Sequence, residues 1–293
     1  MSLIWPDSLV SDIARRRSVL FLGAGISCNS VNAAGDRPKL WAAFLEAAIG
    51  QVPGSQAKKN AIKALVRKAD YLNACQVIRD SMGRAQFNQL AEDEFLTPGF
   101  QAADIHDLII EIDSRIVATP NFDTIFDNRI NHLQHNTVPV KKYYDNDVAE
   151  RVRSSARLVL KVHGSIETPN RMIFTRDDYT TARHRFASFY HILEALAVTH
   201  TFLFLGCGLE DPDIRLLLED YAFRHEYSKP HFFVLPQGKV HRDVIPSLRQ
   251  SLNIEFLTYS VPAGSHQKLN DGLVDLRDRV LAERNNLAVT QDW

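Results

Sequence analysis

The chain has 293 residues, 45% hydrophobic and 24% charged, enough for a full buried core without disulfide or metal staples. Lys plus Arg number 34 against 35 Asp plus Glu, a net charge of -1, which leaves no dominant footprint for nucleic acid or an anionic membrane. Cys28, Cys75 and Cys207 are scattered and form no CxxC pair, which excludes a disulfide framework and a structural zinc ribbon.

The N-terminal run MSLIWPDSLVSDIARRRS carries Asp7 and Asp12 and lacks a continuous apolar stretch, so it does not read as a secretory signal. No segment approaches the roughly 18 apolar residues of a membrane span. A reduced, soluble, cytoplasmic protein is expected. Buried strands are predicted at Ser18-Leu22, Arg115-Ala118, Leu158-Val162, Thr201-Leu205, His231-Leu235 and Ile254-Tyr259, runs of β-branched and aromatic residues bounded by turn or helix signals. Helical spacing lies between them, at Leu40-Ile49, Thr124-Ile130, Asp211-Phe223 and Gln267-Leu281. This alternation predicts a Rossmann-like, doubly wound parallel α/β sheet.

The first two strands are about 90 residues apart, far more than one crossover helix needs. Residues 38–112 read as helical nearly throughout and are expected to form a helical insertion or subdomain within one domain spanning 1–293. A short β-like piece is expected at Arg171-Thr175, then a helix opened by a capping box of Thr175 and Asp178. Residues 282–293 read as a polar, frayed tail, and the Arg15-Arg17 run as solvated.

Four motifs follow predicted strands, where ligands gather in open α/β sheets. The first is Gly23-Ala24-Gly25-Ile26-Ser27, either a tight turn or a loop whose amides approach phosphate; Cys28 stands where a third fingerprint glycine would be. The second is Thr119-Pro120-Asn121-Phe122-Asp123. One residue there could cap the next helix, but a cap does not need both an amide and a carboxylate. The third is His163-Gly164, a histidine able to titrate near neutrality. The fourth is Gly206-Cys207-Gly208, where backbone can approach a nucleotide, before Asp211 as helix cap. Cys207 could alternatively be a reactive thiol, although nothing flanking it is clearly a base. His132 with His135 lacks a third ligand, His184 and His191, seven apart, read as a solvated or packing face rather than a metal pair, and no dense carboxylate cluster supports a metal-dependent nuclease.

GAGIS, T-x-N-x-D (Thr119, Asn121, Asp123), HG (His163, Gly164) and a glycine loop after FLG resemble sirtuins in order and approximate spacing, from about Ser18 to Tyr259. The resemblance implies an NAD-binding Rossmann-like fold with a small subdomain over the cofactor. Residues 164–200 contain no cysteine, so the four-cysteine zinc module of protein-deacylating sirtuins is not expected. Arg37 only approximates their cofactor-loop arginine. The chain is more similar to the zinc-free sirtuin-like NADases of bacterial anti-phage defence, which carry a segment like FTRDDY (Phe174-Tyr179). About 30 residues follow the last predicted strand, so a sensor is expected in trans, as in stand-alone forms encoded beside a HerA-type ATPase.

What the resemblance implies is an NAD glycohydrolase releasing nicotinamide and ADP-ribose, with NAD as substrate and no metal. Asn121, Asp123 and His163 would be catalytic. Gly23, Ala24, Gly25 and Ser27 would hold the pyrophosphate, with Thr119, Gly206, Cys207 and Gly208 also at the cofactor. A regulated homo-oligomer is expected, with neither direct nucleic-acid binding nor a membrane partner. Two rivals share the scaffold: a deacylase or ADP-ribosyltransferase, and a non-catalytic module binding NAD or ADP-ribose.

Overall fold

The computed structural model describes residues 3–209 and 211–291. Its first half runs α1 (Asp7–Ala14), β1 (Ser18–Leu22), α2 (Ala24–Ser27), α3 (Trp41–Gln51), α4 (Gln56–Arg67), α5 (Tyr71–Met82), α6 (Arg84–Phe95), α7 (Asp104–Glu111), β2 (Ile116–Thr119) and α8 (Ile125–Leu133). The rest runs β3 (Val140–Lys142), α9 (Val148–Arg153), β4 (Leu158–Lys161), α10 (Arg176–Arg185), α11 (Ala187–Thr199), β5 (Thr201–Leu205), α12 (Pro212–Arg224), β6 (His231–Pro236), α13 (Ile245–Leu252), β7 (Ile254–Tyr259) and α14 (Gln267–Thr290). Among the described residues the strands form one seven-stranded sheet in the order β3-β4-β2-β1-β5-β6-β7. Every pairing is parallel. The doubly wound α/β expectation is correct.

Alternating side chains explain why the strands read as continuous apolar runs. Val19, Phe21, Ile116, Ala118, Leu158 and Leu160 enter one core, and their neighbours Leu20, Leu22, Val117 and Val159 enter the other. Helices cover both faces, so the residues of β1, β2 and β4 are buried whichever way they point. No helix among the described residues is long and apolar enough to cross a membrane.

His231, at the head of β6, shows what that burial costs. It is 2% exposed and accepts the Phe202 N–H at Nδ1, 3.1 Å away. Burial lowers its pKa from 6.5 to about 3. The unfolded chain therefore takes up this proton as pH falls through about 6.5, while the folded chain stays neutral until about 3. Stability is fully present above that window and falls within it, by up to about 1.4 kcal/mol per pH unit. Urea midpoints are expected to fall from pH 7.5 to pH 5, less steeply in His231→Phe. Equal slopes for the two proteins would refute this assignment.

Four boundaries differ from expectation. Strand β3, with the sequence VKK, was not anticipated. It is a short edge strand whose lysines pair with Asp147 at 2.8 Å and Glu167 at 3.1 Å, so it carries no apolar run. Arg171-Thr175 is not a sheet strand: Pro169–Arg171 is a 3-10 turn, and the Ile173 N–H bonds to the His163 carbonyl. The stretch 38–112 divides. Helices α3 to α6 share a separate core with Phe122, Ile166, Met172 and Phe174, whereas Ile105, Ile109 and Ile110 of α7 join the sheet's core.

The expected tail is also corrected, because α14 continues to Thr290. Its apolar stripe runs Leu269, Leu273, Leu276, Val280 and then Leu287, which is 2% exposed. Arg284 interrupts that pattern and so disguises it. Its guanidinium bonds to the carbonyls of Ala14, Ile13 and Asp113. Asp292 and Trp293 lie outside the described residues. Asp113 also takes Arg16 at 2.9 Å, so the basic run before β1 is partly engaged rather than wholly solvated.

Candidate active site

The first glycine motif begins where β1 meets the end of β5. Gly23 N–H donates to Leu205 O and Gly25 N–H to Gly206 O, each at 2.9 Å. A Cβ on Gly23 would stand 2.4 Å from Gly206 O, and one on Gly25 2.9 Å from it. Gly206 itself has φ +65, and its Cβ would stand 2.6 Å from Ile26 N. The two loops are zipped backbone to backbone, a contact only glycines permit. The tight-turn reading thus accounts for these glycines, and the amides of Gly23 and Gly25 are already bonded.

Cys207 turns inward, its thiol toward Phe21 O and Leu205 O at 3.4 and 3.6 Å. Burial raises its pKa well above the usual thiol value, so the reactive-thiol reading loses its thiolate. Gly208 is exposed beyond it. Asp211 caps α12 as expected, accepting Ile214 N–H at 3.2 Å. Arg37 donates to the carbonyls of Cys28 and Asn29 and so closes the loop that follows α2.

The second motif is tied to the first. Thr119 Oγ1 donates to Leu22 O at 2.6 Å and accepts Asn121 N–H at 3.1 Å, fixing the end of β2 against the end of β1. Asn121 Nδ2 donates to Ser27 Oγ at 3.0 Å, and Ser27 donates in turn to Asp123 Oδ2 at 2.8 Å. The other Asp123 oxygen accepts Ile125 N–H at the head of α8, at 3.1 Å. Asp123 therefore caps α8 with one oxygen and takes Ser27 with the other, and Ser27 lies between the amide and the carboxylate. The Ser27 hydroxyl is accordingly engaged within the site.

The third motif runs alongside. Val162 N–H bonds to Thr119 O and Ile166 N–H to Phe122 O, both at 2.9 Å, because β4 adjoins β2. His163 is 2% exposed. Its Nε2 lies 3.0 Å from Tyr179 Oη, the two rings meeting edge-on, and the Phe122 ring centroid is 6.4 Å away. Gly164 has φ +85 and leaves only 2.6 Å between an added Cβ and Arg171 O. The pairing of histidine with glycine is thus a backbone requirement.

Sequence reasoning missed two supports of this site. Lys161, fully buried, lies two residues before His163. Its ammonium donates to the Asp123 carbonyl and pairs with Asp127 Oδ2 at 2.9 Å. Burial pushes the Asp127 carboxyl up, and the Lys161 charge opposes that. The available signal was a lysine inside the apolar strand LVLKV, since a buried charge requires a partner. The second support is Tyr179, whose helix opens with the expected capping box, Thr175 Oγ1 accepting Asp178 N–H at 3.2 Å. No group of three or more histidine, cysteine or acidic residues able to hold a metal occurs among the described residues.

The arrangement offers a carboxylate, an amide and an imidazole at the carboxyl ends of two neighbouring parallel strands. Such a set can bind a polar ligand, orient a water and accept a proton.

Known proteins are similar to this chain. Residues 115–257 match the SIR2-like domain. The chain is 27% identical over 237 residues to Defense-associated sirtuin 2 of Bacillus subtilis, covering 78% of this chain and 22% of that protein. It is 25% identical over 227 residues to the NAD(+) hydrolase ThsA of Enterococcus faecium, covering 76% and 44%. For ThsA of Bacillus cereus (strain MSX-D12) it is 23% identical over 239 residues, covering 82% and 47%. The chain thus spans less than half the length of these curated relatives.

Proposed function

Because residues 115–257 match the SIR2-like domain, we propose that the chain is an NAD glycohydrolase acting in anti-phage defence, cleaving NAD to nicotinamide and ADP-ribose. The observation that carries this reading is the hydrogen-bonded series Asn121–Ser27–Asp123 beside His163. The names of the relatives support it.

Breaking the nicotinamide–ribose bond builds positive charge on the ribose while neutral nicotinamide departs. Asp123 holds the nicotinamide carboxamide. Each of its oxygens already accepts one bond and has a second lone pair to offer. Ser27 takes the Asn121 Nδ2 donor, so Oδ1 is the atom that orients the attacking water. His163 accepts the proton from that water or from a ribose hydroxyl. The loops at Gly23–Ser27 and Gly206–Gly208, with Thr119, border the rest of the dinucleotide. No metal takes part.

An NADase active at rest would deplete its own cell. The deep burial of His163, at 2% exposed, and of Asp123, at 7%, supports a resting form with a closed site. Regulation comes from homo-oligomeric assembly and from a HerA-type ATPase or other sensor in trans, as in the stand-alone forms this chain resembles.

The test is incubation of the full chain with NAD, alone and with the product of the neighbouring gene, following nicotinamide and ADP-ribose by chromatography. Equimolar release without an acyl acceptor is expected. Release only with an acylated peptide would establish a deacylase instead. Tight NAD binding with no turnover in any arm would establish a binding module.

A further inference from the structure

A cavity of about 470 Å³ is lined by none of the four motifs. It lies between α5–α6, the 3-10 turn at Pro169–Arg171 and α10. Arg79, Arg84, Arg171 and Arg185 line it, against Asp177 and Asp178. Four guanidinium groups and two carboxylates leave an excess of two positive charges in a chain whose net charge is -1.

Asp178 is already saturated. Both its oxygens take Arg79 Nη1 at 2.7 Å, and Oδ2 also accepts the N–H groups of Thr175 and Phe174 at 3.0 and 3.2 Å. Arg84 reaches it only at 3.4 Å and is 54% exposed. Arg171 lies over the Tyr144 ring at 4.6 Å, and Arg185 makes no ion pair among the described residues. Three guanidinium groups therefore face one cavity with Asp177 as the single carboxylate not already bound there.

We propose that this cleft is a second ligand site, taking a small anion with two or more phosphate groups. Planar guanidinium forks fit phosphate oxygens in pairs, and the volume falls in the range of small-molecule pockets. The concave form selects a compact ligand over a nucleic-acid backbone. Occupancy reaches the catalytic histidine by a short route. An anion that draws Arg79 and Arg84 loosens their hold on Asp178, the capping residue of α10. Tyr179, the next residue, carries the hydroxyl bonded to His163. That link rests on the NADase reading, whereas the binding site does not.

Inorganic pyrophosphate is the probe, titrated calorimetrically into the full chain and into Arg84→Ala/Arg185→Ala. Pyrophosphate is expected to bind the double variant roughly tenfold or more weakly, with NAD affinity and melting temperature kept. Equal affinities in the two proteins would overturn the site, as would tighter binding of a single-stranded oligonucleotide than of pyrophosphate. In the NAD assay, pyrophosphate is expected to change nicotinamide release from the wild type and not from the variant. Saturation of the cleft without that change would overturn the link to His163. Should neither protein turn over NAD, the calorimetric comparison still decides the binding site.

Discussion

His163→Ala is expected to lower nicotinamide release from NAD by roughly 10²- to 10⁴-fold, the usual contribution of a positioned general base. The imidazole sits at the end of β4 with one nitrogen on Tyr179, and alanine leaves nothing there to take a proton. Asn121→Ala should fall by a comparable factor, because it removes the carbonyl proposed to orient the water and the donor to Ser27. Tyr179→Phe keeps the ring against His163 and removes only the hydroxyl. It should retain measurable turnover, with an altered pH profile. Initial rates at saturating NAD, beside melting temperatures, separate lost chemistry from lost fold. A His163→Ala protein within tenfold of wild type would remove the histidine from the mechanism.

Lys161→Met is expected to cost about 3–5 kcal/mol of stability, the range for breaking a buried ion pair by removing one partner. The lysine is fully buried and Asp127 is 6% exposed. Asp127 Oδ1 already has no hydrogen-bond partner. Deleting the ammonium leaves that carboxyl with neither charge nor donor, and the Asp123 carbonyl loses its donor as well. Lys161→Met/Asp127→Leu, which removes both charges, should recover much of the loss, because a well-packed apolar pair often equals a buried ionic one. Chemical denaturation of the three proteins measures it. Equal losses in single and double variants would show that the pair is not the source.

Much of this molecule was legible in its sequence because parallel strands buried on both faces leave continuous apolar runs. SVLFL and TFLFL read as strands for that reason, and the motifs that follow them could be placed at one rim. The helices were legible where a single face repeats, as at Leu40-Ile49. Three things were hidden, each because the local pattern was broken by a long-range partner. Val140–Lys142 pairs along one edge only and wears lysines. Leu287 stays in register beyond Arg284, whose partners lie 171 to 271 residues away. The roles of Ser27 and Lys161 depend on groups about 96 and 38 residues distant, which no spacing rule reveals. The glycines allowed either a tight turn or a phosphate loop in the sequence, and only the folded chain shows that they permit a close contact with another stretch of the same backbone.

The separate core of α3 to α6 has a mechanical consequence. This four-helix body leaves the sheet after α2 and returns before α7, and the two crossing chains touch at an isolated antiparallel bridge between Val31 and Gln101. Across its inner surface its rings meet the loops beside the site, Phe87 edge-on to Phe174 and Phe95 tilted against Phe122, with centroids 5.1 and 6.3 Å apart. Arg79 of α5 also pairs with Asp178 of α10, so this body, which has its own interior, is tied to the rest of the fold at several points. Since Phe122 stands between Asn121 and Asp123 in the chain, the rings of that body bear directly on the loop that carries both groups.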